Sequence, residues 1–161
     1  MAIDHEGTYF TGGGNGPYYG IKVKDEGLLP LTALQAILCS SVTHFLMRSL
    51  STPFRGDYYS FSFGKRFIER LPIVIPEKSD RECLESLVAA ITQLKLDWHE
   101  SGRPEKGREA IDDLVSEIDD LVFDLYGLTE AERNLVQQVD NAAPSEEPHQ
   151  DKSEEIDHET D

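Results

Sequence analysis

The chain has 161 residues, a mass of 18.1 kDa, 39% hydrophobic residues and a formal net charge of −16. That length supports one ordinary domain with extensions. No apolar run approaches the ~20 residues a membrane helix needs, and the opening MAIDHEGTYF has neither the basic nor the apolar region of a secretory signal, so a cytoplasmic protein with no membrane contact is expected. The acidity is lopsided. Residues 1–76 hold seven of the fifteen basic and six of the thirty-one acidic side chains, which leaves eight and twenty-five to residues 77–161. The first half is near neutral and open to an anionic partner, whatever the total says.

In chain order, Tyr9-Phe10 and Tyr18 to Lys24 read as short strands around the turn cluster TGGGNGP. In YYGIKVK the alternation sets Tyr19, Ile21 and Val23 on one face and Tyr18, Gly20, Lys22 and Lys24 on the other. Pro30 then opens a helix, PLTALQAILCSSVTHFLMRSL, with an apolar stripe from Leu34 to Leu50. Thr52-Pro53 stops it. Tyr59, Phe61 and Phe63 alternate with Tyr58, Ser60 and Ser62, as in a strand; GKRFIER reads as a helical turn, and LPIVIP, between prolines, as a short edge strand.

From Ser79 the character changes. Ser79 and Glu82 have the spacing of a capping box. Leu84, Leu87, Val88, Ile91, Leu94 and Trp98, and after ESGRPE Ile111, Leu114, Val115, Ile118, Leu121, Val122 and Leu125, repeat at helical spacing. Two such helices with a short loop predict an antiparallel helical hairpin. Gly127 suits a helix C-cap, and Thr129 with Glu132 predicts a second capping box before a short helix containing Leu135, Val136 and Val139. The segment from about Asp140 has almost nothing apolar and is expected to be disordered. The expected fold is α+β: a small mixed sheet with a packed helix over residues 1–76, a helical hairpin plus short helix over 79–139, and a disordered acidic tail over 140–161.

The search for chemistry is mostly negative. GGGNG leads into a strand rather than a helix N-terminus, so it reads as a hairpin turn and not a phosphate cradle. His5, His44, His99, His149 and His158 lack metal-ligand spacing, and no nucleophile motif occurs. Cys39 and Cys83 fall at apolar-looking helical positions and are expected to be buried thiols. Asp112, Asp113, Glu117, Asp119, Asp120 and Asp124 read as the solvated side of the second hairpin helix.

One stretch stands apart. Residues 48–70 carry Arg48, Arg55, Lys65, Arg66 and Arg70 against Asp57 and Glu69, interleaved with Phe54, Tyr58, Tyr59, Phe61, Phe63 and Phe67. Cations that reach phosphate oxygens, with hydroxyls and tyrosines that fix register, make a nucleic-acid contact, and arginine also reads guanine edges. The same composition fits an ordinary surface patch.

GGGNGPYYGIKVK, the apolar helix LTALQAILCSS and STPFRGDYYSFSFGKRFIERLPI together resemble the TaqI-like C-terminal specificity domain of adenine-N6 DNA methyltransferases and fused type II restriction-modification enzymes. The family pattern has a glycine-rich turn before a tyrosine strand, a helix ending near L-N-S, an S-T-x-F-R-G-G-Y-Y segment and a K-R/Q-F-I/L-E-x-L-P-I close. Here Cys39-Ser40 stands where Asn-Ser is usual, and Asp57 where the second glycine is usual. IDDLVFDLYGLTEAERNLV is similar to the usual tail of such enzymes. The resemblance implies target recognition on double-stranded DNA, with Lys22, Lys24, Ser51, Thr52, Arg55, Tyr58, Ser60, Lys65 and Arg66 as the DNA-contacting set.

The family's catalytic motifs are not in this sequence. No two prolines are adjacent, so the N-P-P-Y motif that holds the flipped adenine is missing, and no lysine follows an acidic residue by two, as the family's nuclease site requires. The resemblance therefore implies a C-terminal specificity piece with no catalytic residues and no bound cofactor or metal. A methyltransferase or endonuclease partner would use S-adenosylmethionine. The competing expectation is a protein-interaction module or decayed remnant that docks such a partner through its helical hairpin.

Overall fold

The computed structural model describes residues 21–50, 52–54, 58–60 and 70–141. The expected Tyr9-Phe10 strand, the glycine turn, GKRFIE and the acidic tail lie outside them. The elements are α1 (Leu31–Cys39), α2 (Ser41–Leu50), β1 (Thr52–Phe54), β2 (Tyr58–Ser60), α3 (Lys78–Glu100), α4 (Glu105–Leu125) and α5 (Glu130–Asn141).

The expected α+β fold with a small mixed sheet is not what forms. Among the described residues the regular structure is helical, apart from one antiparallel ladder of three residues per strand. Residues 21–24 and LPIVIP, both expected as strands, have no regular structure. Proline supplies no N–H to a ladder, and the LPIVIP segment serves the helices instead: Leu71 is buried, Ile73 packs on the core, and the Pro72 carbonyl accepts a 2.6 Å hydrogen bond from the Tyr126 hydroxyl. Burial raises the Tyr126 pKa, opposed by the Val74 backbone.

A single apolar cluster joins Leu29, Ala33, Leu34, Ala36, Ile37 and Val42 with Leu84, Leu87, Ile118, Val122, Phe123 and Val136. Helices α3 and α4 form the antiparallel pair; α1 lies along α3, and α2 packs on α5 and α4. The apolar spacing puts Leu84 and Leu87 of α3, and Ile111, Ile118 and Val122 of α4, on the inner faces. Phe123, a position off the spacing read from the sequence, is the largest fully buried side chain. Both cysteines are exposed, against expectation. Cys83 sits one residue, about 100° of helix, from the inward Leu84, and Cys39 ends α1.

The long helix expected over 30–50 is two helices. Ser40 adopts extended backbone, φ −75° and ψ 158°. The hydroxyls of Ser40 and Thr43 both donate to the Ile37 carbonyl, at 2.8 and 2.6 Å. Serine and threonine side chains offer the backbone local alternatives to helical bonding, and two of them meet at this break.

Helix ends follow the sequence more closely. The Gly127 N–H bonds the Asp124 carbonyl and the Leu128 N–H the Phe123 carbonyl. This is a Schellman closure with Gly127 at φ 64°. The Thr129 N–H and hydroxyl both donate to Glu132, at 2.8 and 2.7 Å, and these bonds hold the Glu132 carboxyl below its usual range. The Ser79–Glu82 box does not form: α3 starts earlier, from Glu77, and Glu82 pairs instead with Lys78.

At the far end of the hairpin, the Trp98 indole N–H donates to the Pro104 carbonyl and Arg103 lies over the ring. A Cβ on Gly107 would meet Trp98 Cδ1 at 2.6 Å, so only glycine lets the ring close on α4 here.

Candidate nucleic-acid interface

The part of the basic-aromatic stretch that is described hangs from α2. That helix is held at both ends. At its start, Asp119 of α4 accepts bonds from the Ser41 N–H (2.8 Å) and the Ser41 hydroxyl (2.5 Å). A carboxylate here satisfies a first-turn N–H and complements the helix dipole. At its end, Arg48 Nη1 donates to the Val139 carbonyl at 2.7 Å, in the last turn of α5, where carbonyls have no intrahelical partner. Two expectations are corrected. Asp119 is not on the solvated side of its helix with Asp112, Asp113, Glu117 and Asp120, and Arg48 turns its charge to an internal cap.

Two residues after α2, the chain enters the ladder. The register pairs Thr52 with Ser60, Pro53 with Tyr59 and Phe54 with Tyr58. Thr52 and Ser60, and Phe54 and Tyr58, are thus backbone partners across the ladder. Three residues of the expected DNA-contacting set, Thr52, Tyr58 and Ser60, are thereby gathered. Lys22 and Lys24 are exposed on the irregular segment before α1; its Val23 packs on the core. That segment is fixed to α3 by Arg81, whose Nη1 bonds the Gly27 and Leu28 carbonyls at 2.6 and 2.7 Å. Ser51, Arg55, Lys65 and Arg66 lie outside the described residues.

Sequence reasoning did not find Asp119. Its partner is 78 positions away, and its type matches its solvated neighbours. The one available signal was its place beside the buried Ile118 in the helical spacing.

A second feature is a groove of about 720 Å³ between α1 and the α3–α4 pair. Ala36, Cys39, Val88, Leu96, Val115 and His99 are among its lining. Leu96 and Val115 are 55% and 40% exposed; Val115 belongs to the apolar spacing of α4, whereas Leu96 lies off that of α3. The Thr32 hydroxyl, on the same lining, is bonded to Glu85 at 2.9 Å. The groove suits an apolar side chain or helix face.

Among the described residues, no group of three His, Cys, Asp or Glu stands together as a metal set, and no helix is long and apolar enough to cross a membrane. Comparisons with family models, with curated proteins and with solved structures find no match to this chain.

Proposed function

We propose that the chain is a DNA sequence-recognition module, the specificity part of a restriction-modification adenine-N6 DNA methyltransferase, working in the cytoplasm. The observation that carries this reading is the S-T-P-F-R-G-D-Y-Y segment, delivered by a doubly anchored helix into a ladder that sets Thr52 and Ser60 opposite each other. Hydroxyls and tyrosines in a segment of this composition offer hydrogen bonds to phosphate and to base edges, and Arg55, Lys65, Arg66 and Arg70 supply the charge. The outward carboxylates of α4 repel the duplex, so the DNA lies away from that helix.

Methyl transfer, with S-adenosylmethionine, belongs to a separate catalytic domain or subunit, into which the target adenine is flipped. The groove beside Leu96 and Val115 favours a second, compatible reading, in which the helical hairpin docks that catalytic partner.

The test is a binding selection from a pool of randomised duplexes, followed by affinity measurements at low and high salt. Enrichment of one sequence, with affinity falling as salt rises, is expected. Arg55→Ala and Lys65→Ala should each lower the salt slope by about 1 while leaving the helical fold intact. No enrichment, with or without an adenine-N6 methyltransferase added, would remove the recognition reading. No tritium should pass from labelled S-adenosylmethionine to duplex DNA with the purified chain alone.

A further inference from the structure

Helix α1 is fixed to the α3–α4 pair by Thr32 in its first turn, bonded to Glu85 of α3, and by Ser41 just past its end, bonded to Asp119 of α4. Toward the Trp98 end the same groove lies open. Ala89, Thr92, Leu96 and His99 of α3 and Val115 of α4 all line it and are exposed. Val88, Ile91 and Ile118, on the same lining, belong to the core cluster or pack against it. The groove therefore carries the apolar core out to the surface. From Glu85 to His99, which line its length, α3 advances about 21 Å, or four helical turns.

We propose that this groove receives one amphipathic helix of the catalytic partner, about four turns long, whose apolar stripe is flanked by lysine or arginine. The proposal rests on the docking reading above and not on DNA recognition. Length and apolar lining call for a helix face; the flanks follow from charge. Asp112 and Asp119 stand three residues before and four after Val115, on one face of α4. The adjoining surface of that helix exposes Glu109, Asp113, Glu117 and Asp120, and Arg108 is turned to Asp112 at 3.7 Å. Among the described lining residues Lys95 is the one lysine or arginine, against Glu85 and Asp119. A second copy of this chain would bring a net charge of −16 to the same carboxylates, and a nucleic acid or an anionic lipid surface would bring phosphate; all are repelled here. A basic flank is attracted, and the stripe it borders covers Leu96 and Val115.

The test uses synthetic helical peptides of about four turns that share one apolar stripe and differ in its flanks: lysine, glutamine or glutamate. Each is titrated into the full-length chain with labelled isoleucine, leucine and valine methyl groups. The lysine peptide should move the signals of Val88, Leu96 and Val115. It should leave in place Leu135, a leucine of α5 exposed to a similar degree. At low salt it should bind about ten-fold tighter than the glutamine peptide, and that one about ten-fold tighter than the glutamate peptide, the gaps closing as salt rises. Leu96→Lys, at an exposed position, should weaken the lysine peptide about ten-fold with the helical dichroism unchanged.

Equal affinity for all the peptides, lost in Leu96→Lys, would sink the basic flank and leave the docking reading standing. No shift with any peptide, or shifts that reach Leu135 as strongly as Leu96, would overturn the groove as a docking site and the docking reading with it. Sedimentation that shows a dimer of this chain, dissolved by Leu96→Lys, would give the groove to a second copy and overturn the proposal.

Discussion

The helical body and the β1–β2 ladder are built on different physical terms. The body buries Phe123, Ile37, Leu84 and Val122 completely and closes its helices with side-chain and glycine caps. The ladder has three residue pairs, and a two-stranded hairpin of that size is at best marginal by itself in water. The body is therefore a frame, and the ladder takes its position from α2 rather than from its own hydrogen bonds. Recognition segments are commonly carried by rigid scaffolds in this way. The difference teaches where to cut: damage to the frame should abolish everything, and damage to the anchors of α2 should disturb the ladder first.

The largest effect should come from Phe123→Ala. Emptying that site costs about 3–5 kcal/mol, and denaturant unfolding followed by circular dichroism should show it as a lower midpoint. A loss under 1 kcal/mol would mean that the core does not depend on this ring. Asp119→Ala should cost about 1–2 kcal/mol by removing the acceptor of the Ser41 N–H and hydroxyl. Its sharper signature is local: amide exchange in α2 and the ladder should quicken more than exchange in α3. Uniform quickening would erase the distinction between anchor and frame.

Gly127→Ala is a smaller probe, at ~1 kcal/mol, because a Cβ there meets nothing within 4 Å and only the left-handed backbone resists it. Its effect should stay in the frame. The pH dependence is smaller again. Glu132 has a depressed pKa, so its contribution is present above the unfolded value of about 4.3 and disappears as pH falls through the folded value. Tyr126 has a raised pKa; its contribution is present below about pH 10 and fades as pH rises through the folded value. Melting temperatures of Glu132→Gln and Tyr126→Phe across these two windows should lose the respective slopes.

What the sequence made legible was the part governed by local rules. Apolar spacing located α3, α4 and α5, and the caps at Gly127 and Thr129–Glu132 follow from backbone chemistry within six residues. The errors share a different cause. The break at Ser40 needs two hydroxyls to converge on one carbonyl. The role of Asp119 needs two helices to be brought together by their cores. The exposed thiols of Cys39 and Cys83 depend on which side of an amphipathic helix is covered. The mixed sheet was inferred from alternating Ile, Val, Tyr and Phe, but alternation supplies a face and not a pairing partner. In LPIVIP the prolines withhold donors, and the helices take the segment into their own packing. At the candidate site, residue types were legible as a motif. The facing positions of Thr52 and Ser60 were not, since register arises only once two strands pair.

The ring that closes the hairpin has a practical consequence. Trp98 is the sole tryptophan of the chain, and it sits at the end of α3–α4 far from the Ser40 break in the chain. Its emission therefore reports one address in the molecule, the contact with Gly107 and Pro104, whereas far-ultraviolet dichroism sums the helical signal of the whole chain. If the two signals melt together, the hairpin's outer end belongs to the same cooperative unit as the core. If the emission shifts first, that end opens by itself, and the chain carries its own fluorescent gauge of that opening.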